Sequence, residues 1–412
     1  MMNSVKMGPF RGINNRLPLE RDRPLGDREP GSFLHDAVNV DLTPGGTLRR
    51  RPGRRRIGSL VGCRGLHTSQ GVAYFAAQDR VYRLDQDEAP TEVGTVASPF
   101  APVAFENTPV GLVMSDTFSM QVLQGSAFEP FVPAVPNPLP VVSASAGGVL
   151  PAGRYSLLFQ AENEAGRRSA QSGVVYVDVP AGGAVAVTLS APAAQTVVVF
   201  MTAQDGSIYY RVGEIAAGAT TLSVLSNAAE REPVAYRATA PLPPGELLAY
   251  HKGRLYSAVA GVLHYSLPYN LGLQAPDEGY LWFPDPVAVV ASVDEGLFVA
   301  TTSETFFLPG GDPTKYEAAQ LAPYGAVPKS AVYDPRAKEW MWHTPRGPVR
   351  TRGREIELLQ DAAIAYSPAA SGASIFREQN GLRSVISSLA GTIPTGAAVV
   401  GSYMDAEVIT GA

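Results

Sequence analysis

A single cysteine, Cys63, stands in a chain of 412 residues. No internal disulfide can form, so stability has to come from the core, and the chain suits folding in a reducing cytoplasm. Histidine is scarce too: His35, His67, His251, His264 and His343 sit outside any HExxH or CxxC pattern. Zinc needs three or four convergent ligands, so no metal site is expected. His251 and His264 flank a hairpin, and their reading is as strand histidines rather than ligands. Charged residues make up only 17%, and long runs of Glu, Lys, Leu and Ala are missing, which excludes long helices. The N-terminus lacks the apolar stretch of a signal peptide. The uncharged stretch 179–204 is broken by Gly182, Gly183, Thr188, Ser190 and Pro192, a poor spanning helix, so no membrane insertion is expected.

Signatures of chemistry are equally thin. Residues 325–330 read GAVPKS, which lacks the spacing of a phosphate loop. No GxSxG elbow occurs. Glycoside hydrolysis would need two carboxylates about 5–10 Å apart. Asp277, Glu278, Asp285, Asp294 and Glu295 are available, but acids in such contexts belong to solvated turns. The box that marks sialidase propellers does not appear. No complete constellation of acid, base and nucleophile is present, so the expectation is a protein that is not an enzyme and has no cofactor.

What the chain does have is 41 glycines, 35 prolines and many short runs of Val, Thr, Ala and Tyr. That balance predicts an all-β protein. An apolar strand, a turn and a second aromatic-rich strand recur from near Val72, Val110, Arg254, Leu297, Glu339 and Arg383. The spacing is 38 to 44 residues except for one gap of 144. Removing residues 137–236, which differ in character, restores the period. A repeat of 40–45 residues with several strands in each unit predicts a β-propeller, here of about six blades. The C-terminal residues would pair with the first blade to close the ring.

The inserted segment, 137–236, reads as a β-sandwich of the immunoglobulin or fibronectin III kind. Tyr155, Leu157 and Phe159 alternate with Ser156, Leu158 and Gln160, the pattern of a half-buried strand. Asp205-Gly206 lies between two β-rich runs and predicts a hairpin. Prolines 136, 138 and 140 stiffen the entry, and prolines 241, 243 and 244 the exit. The expected layout is an extended N-terminal docking arm with a β-hairpin (1–64), the first part of the propeller (65–136), the sandwich (137–236) and the second part of the propeller (237–412).

The arm differs from the rest in charge. Residues 1–64 carry 13 Lys and Arg against 6 Asp and Glu, and residues 65–412 carry 20 against 32. A basic arm on an acidic body predicts docking to an acidic partner, including the body of a neighbouring copy. From Phe33 the arm reads FLHDAVNVDL, offering Phe33, Ala37, Val38, Val40 and Leu42 for burial. Pro44-Gly45-Gly46 then turns the chain into a return strand at Thr47, Leu48 and Arg49. The interaction residues expected here are Phe33, Leu48, Arg49, Arg50, Arg51, Arg54, Arg55 and Arg56. No aromatic residues interleave these arginines, so stacking on nucleic acid is disfavoured. A clamp on an acidic protein surface and a solvated charge run remain equal alternatives. Trp340 and Trp342 alternate on one strand and face one side. A blade-packing pair is the leading reading and a ligand platform for sugars the alternative.

Several of these stretches together resemble the tail nozzle, or tail tubular protein B-like, family of short-tailed phages. They are FRGINN from Phe10, FLHDAVNVDLTPGGTLRRRPG from Phe33, RYSLLFQAENEAGRRSAQS from Arg154, the hairpin around Asp205-Gly206, HKGRLYSAVAGVLHYSLPY from His251 and GLFVATTSETFFLPGGDP from Gly296. The resemblance spans most of the chain and carries no catalytic residue. It implies a structural virion protein that forms a ring, usually a hexamer, below the portal and adaptor proteins. Such a ring extends or seals the DNA exit path and gives tail fibre or needle proteins an attachment surface. Genomic DNA would pass through without specific binding, and the protein would be made in the host cytoplasm. The alternatives are a carbohydrate-binding or glycoside-hydrolysing propeller and a monomeric propeller scaffold.

Overall fold

A computed structural model of the protein describes residues 10–14, 16, 32–34, 40–42, 47–50, 59–85, 88–226, 233–234, 238–359, 369–379 and 382–391. Among them there is no α-helix, only one 3₁₀ turn at Pro313–Lys315. The chain is an all-β propeller of four-stranded antiparallel sheets.

The first blade is Arg64–Ser69, Val72–Ala77, Arg80–Leu84 and Pro90–Thr95, and the second is Ala104–Thr108, Gly111–Ser115, Met120–Gln124 and Ala127–Pro130. The third is Leu247–His251, Arg254–Val259, Val262–Tyr265 and Tyr280–Trp282, and the fourth is Val287–Val293, Gly296–Thr301, Thr305–Pro309 and Ala319–Ala322. The fifth is Val332–Asp334, Glu339–Thr344, Gly347–Arg352 and Glu355–Leu358. A two-stranded sheet, Ser371–Gln379 with Leu382–Ala390, occupies the sixth position beside the first strand of the fifth blade. The described residues thus complete five blades and the inner hairpin of another.

The recurrence in the sequence falls on the second strand of each blade and of the terminal hairpin, and in the first four blades that strand is rich in buried residues. The turns leading into it are tight. Gln70 and Gly71 have φ of 50° and 81°, and Lys252 and Gly253 have 43° and 84°. Both residues of each pair sit in the left-handed region, as a two-residue hairpin that follows the strand twist requires.

Apolar residues fill the seams between blades. Tyr74, Val81, Phe105, Met114 and Phe128 join the first and second blades. Val113, Val122, Leu248 and Leu255 join the second and third. Tyr256, Leu263, Val290 and Leu297 join the third and fourth. At the inner edge of the second seam Glu106 accepts a hydrogen bond from the Tyr250 N–H. Burial pushes its carboxyl up to about 8, against the pull of that bond.

The insertion is two facing sheets. One orders Val141–Leu150, Gly183–Thr188 and Thr221–Val224; the other orders Val175–Val179, Gly153–Glu162, Thr196–Thr202 and Tyr209–Ile215. Tyr155, Leu157 and Phe159 are fully buried between them. Leu158, on the opposite face, is buried as well, packing with Val198 and Phe200, so this strand is covered on both sides rather than half-buried. The Asp205-Gly206 turn joins Thr196–Thr202 to Tyr209–Ile215, with Asp205 at a φ of 51°. Where the chain returns to the propeller, Ala240–Pro241 pairs with Leu273–Gln274. Ala170 of the insertion packs there against Leu267 and Leu273 of the third blade.

In the arm, Val40–Leu42 pairs antiparallel with Leu48–Arg50, with Leu42 opposite Leu48. Within the segment expected to form one strand from Phe33, the described residues 32–34 and 40–42 have different partners. Ser32–Leu34 instead pairs in parallel with Phe10–Ile13, a long-range partner that local pattern does not reveal.

Candidate functional site

The strand Glu339–Thr344 reads EWMWHT, and its alternation sends aromatic rings one way and a mixed set the other. On one side Trp342, with 1% of its surface exposed, packs in a cluster with Phe298, Phe307 and Val349. Trp340 lies beside Tyr333 with ring centroids 5.3 Å apart, and its indole N–H donates to the Ser292 carbonyl at 2.9 Å. The two tryptophans therefore join the fourth and fifth blades. Trp342 is buried and Trp340 half-buried, so of the two rings only Trp342 is wholly enclosed at this seam.

The other side of the strand faces the terminal hairpin across a cavity of about 630 Å³. His343, 4% exposed, sits at its base. Its Nε2 lies 2.8 Å from Ser387 Oγ, and Ser387 Oγ lies 2.8 Å from Ser374 Oγ. The His343 backbone N–H donates to Ser330 Oγ at 2.9 Å, and that hydroxyl donates to the Val327 carbonyl at 2.7 Å. Burial pushes the His343 imidazole down to about 4, so it is neutral at physiological pH and can accept or donate a hydrogen bond. Met341, Phe376, Val385 and Pro348 supply apolar wall.

Charged groups at this cavity come in opposed pairs. Asp334 Oδ1 accepts from the backbone N–H groups of Arg336 and Ala337 at 2.9 and 3.1 Å. Its Oδ2 lies 3.5 Å from Arg383 Nη1. Arg350 lies 4.0 Å from Glu339 and 2.9 Å from Glu357. The pull of Arg350 holds the Glu357 carboxyl below its ordinary value.

Other residues singled out in the sequence are not brought together here. His251 is held by Ser292 Oγ at 2.9 Å and the Gly310 carbonyl at 2.8 Å. His264 lies 3.2 Å from Gln274 Oε1. Among the described residues no group of three or more His, Cys, Asp or Glu is placed to hold a metal. Asp277, Glu278, Asp294 and Glu295 are exposed turn residues. In the arm Leu48, Arg49 and Arg50 are exposed and Phe33 is half-buried. Arg51, Arg54, Arg55 and Arg56 lie outside the described residues.

Sequence reasoning did not find the cavity. His343 appeared only as one of five scattered histidines, and Ser374 and Ser387 belong to no motif. The one available signal was the polar face opposite Trp340 and Trp342.

No family model matches the sequence, and no curated protein is similar to it. Solved structures are. A streptogramin B lyase shares 13% identity over 77% of this chain and 90% of its own, with a TM-score of 0.31. A catalytically inactive virginiamycin B lyase from Staphylococcus aureus with quinupristin shares 11% over 76% and 90%, with a TM-score of 0.30. The extracellular domain of a putative one component system from B. thetaiotaomicron shares 13% over 78% of this chain and 42% of its own, with a TM-score of 0.25. Lyases are among these structures, so the expectation that the chain is no enzyme is withdrawn rather than replaced by an enzyme assignment. At such identity they bear on the fold alone and assign no reaction.

Proposed function

We propose that the chain is the subunit of a phage tail nozzle, a ring that continues the DNA exit path below the portal and adaptor proteins. One observation carries the reading. The arm strands pair with one another, Phe10–Ile13 with Ser32–Leu34 and Val40–Leu42 with Leu48–Arg50. Among the described residues none of them forms an extended contact with a blade or with the sandwich. The return strand leaves Leu48, Arg49 and Arg50 exposed. A preformed basic hairpin beside an acidic body suits docking on the body of the next copy, where opposite charges steer and orient the contact.

In this reading six copies close the ring. The sandwich stands outward as the surface for fibre or needle proteins. DNA passes along the axis, where an acidic lining repels phosphate and prevents trapping. The protein is made in the host cytoplasm and ends in the virion. Among the described residues no helix is long and apolar enough to cross a membrane.

The test uses the full chain and a variant with Arg49, Arg50, Arg51, Arg54, Arg55 and Arg56 changed to Glu. Light scattering after size exclusion should give a closed oligomer for the first and a folded monomer for the second. A monomeric full chain, or a variant that assembles normally, sinks the reading.

A further inference from the structure

The terminal seam is built differently from the other seams, and the difference points to a ligand. At the seam between the fourth and fifth blades the facing side chains are Trp340, Trp342, Phe298 and Phe307, and they fill the space. At the seam between the fifth blade and the hairpin Ser330, His343, Ser374 and Ser387 stand beside Met341, Phe376 and Val385, and a cavity of about 630 Å³ remains. Buried hydroxyls and imidazoles are costly unless their hydrogen bonds are made. A seam that only had to pack would do better with aliphatic side chains.

We propose that this cavity binds an uncharged polyhydroxylated ligand of one or two neutral sugar units. The size lies in the range of small-molecule sites, and so does the mixture of apolar wall with a few convergent polar groups. The chain of His343, Ser387 and Ser374 supplies the polar side. Each hydroxyl has one donor and two acceptor positions, so the contacts within the chain leave capacity for ligand hydroxyls. Phe376 and Met341 supply the apolar side, against which the C–H face of a pyranose lies.

Charge decides against an ion. Asp334 is paired with Arg383 and Glu339 with Arg350, so the cavity offers no net charge to neutralise an anion or a cation. The same carboxylate and guanidinium groups are good partners for neighbouring sugar hydroxyls, which both donate and accept. Trp342 borders this cavity as well, with its ring packed toward the fourth blade, and the site does not depend on the ring reading.

The test is isothermal titration and saturation-transfer NMR on the full chain with cellobiose, maltose, lactose and chitobiose. Galacturonic acid and glucosamine serve as charged controls. At least one neutral disaccharide should bind. Ser374→Ala and Phe376→Ala should each weaken it at least about tenfold, the loss of one good contact in a desolvated site. Arg383→Met, a change at the half-exposed rim that leaves the hairpin's packing face intact, should weaken it by a smaller factor and keeps the test open if the other variants unfold. The proposal is overturned if no neutral disaccharide binds, if a charged control binds more tightly, or if binding is indifferent to the folded variants.

Discussion

The strand Glu339–Thr344 makes two seams at once, and they are opposites. On the side toward the fourth blade its tryptophans close a dry, filled contact with Phe298 and Phe307. On the side toward the terminal hairpin its histidine and methionine border a hollow lined by serines. The backbone is the same and the period of two is the same. Only the residue set differs, and that set determines whether a seam holds the ring together by burial or keeps room for something else. Filled seams contribute stability in proportion to the apolar area removed from water. The polar seam contributes little by burial and is the place where a bound molecule would add most.

The largest expected effect tests the filled side. Trp342→Ala should cost about 3–5 kcal/mol, as for a large aromatic deleted from a close-packed core. Met341→Ala, one residue away but facing the hollow, should cost roughly 1 kcal/mol, because a half-buried side chain beside open space leaves little new cavity. Urea denaturation of both variants measures the difference, and equal losses would break the comparison.

Next is the acid side of the stability profile. The folded His343 titrates at about 4, against an ordinary value of 6.5. Between those values the unfolded chain binds more protons, so stability is lost as pH falls from about 6.5 to about 4. The effect is on the order of 3 kcal/mol, and His343→Gln should flatten this part of a plot of thermal midpoint against pH.

The seam between the second and third blades should lean the other way. Glu106 titrates at about 8 when folded and near 4.5 when not. The folded chain then binds more protons in that window, so stability falls as pH rises from about 4.5 to about 8. Solvent at the half-buried carboxyl moderates the size. Glu106→Gln should remove the alkaline decline and leave the acid one, whereas a Gln variant that alters neither would show that the side chain is already solvated.

The smallest effect belongs to the arm. Leu48→Ser changes an exposed residue and should move the stability of the single chain by less than about 0.5 kcal/mol. Any larger change in the denaturation midpoint would mean that Leu48 packs against its own body.

Much of the fold was legible because it repeats. Val72, Arg254 and Glu339 each begin the second strand of a blade, and a strand buried on both faces leaves a dense apolar mark in the sequence. The sandwich was legible from the alternation of Tyr155, Leu157 and Phe159 and from Asp205-Gly206. The burial of Leu158 was not, since it depends on a neighbouring sheet. The pairing of Ser32–Leu34 with Phe10–Ile13 was hidden for a similar reason: a parallel contact between segments about twenty residues apart has no turn to announce it. The terminal cavity was least legible. Its serines and histidine come from the fifth blade and from the hairpin that follows it, with no fixed spacing between them, and serine in a strand looks the same whether it faces water or an enclosed space.

The way the insertion is fastened has a mechanical consequence. The sandwich leaves after the second blade and returns before the third, and the return is clamped by the pairing of Ala240–Pro241 with Leu273–Gln274. Ala170 wedges against Leu267 and Leu273 at the same place. A load applied to the sandwich therefore meets these two contacts. It passes through them into the segment Leu267–Gln274, within the third blade's own stretch of chain.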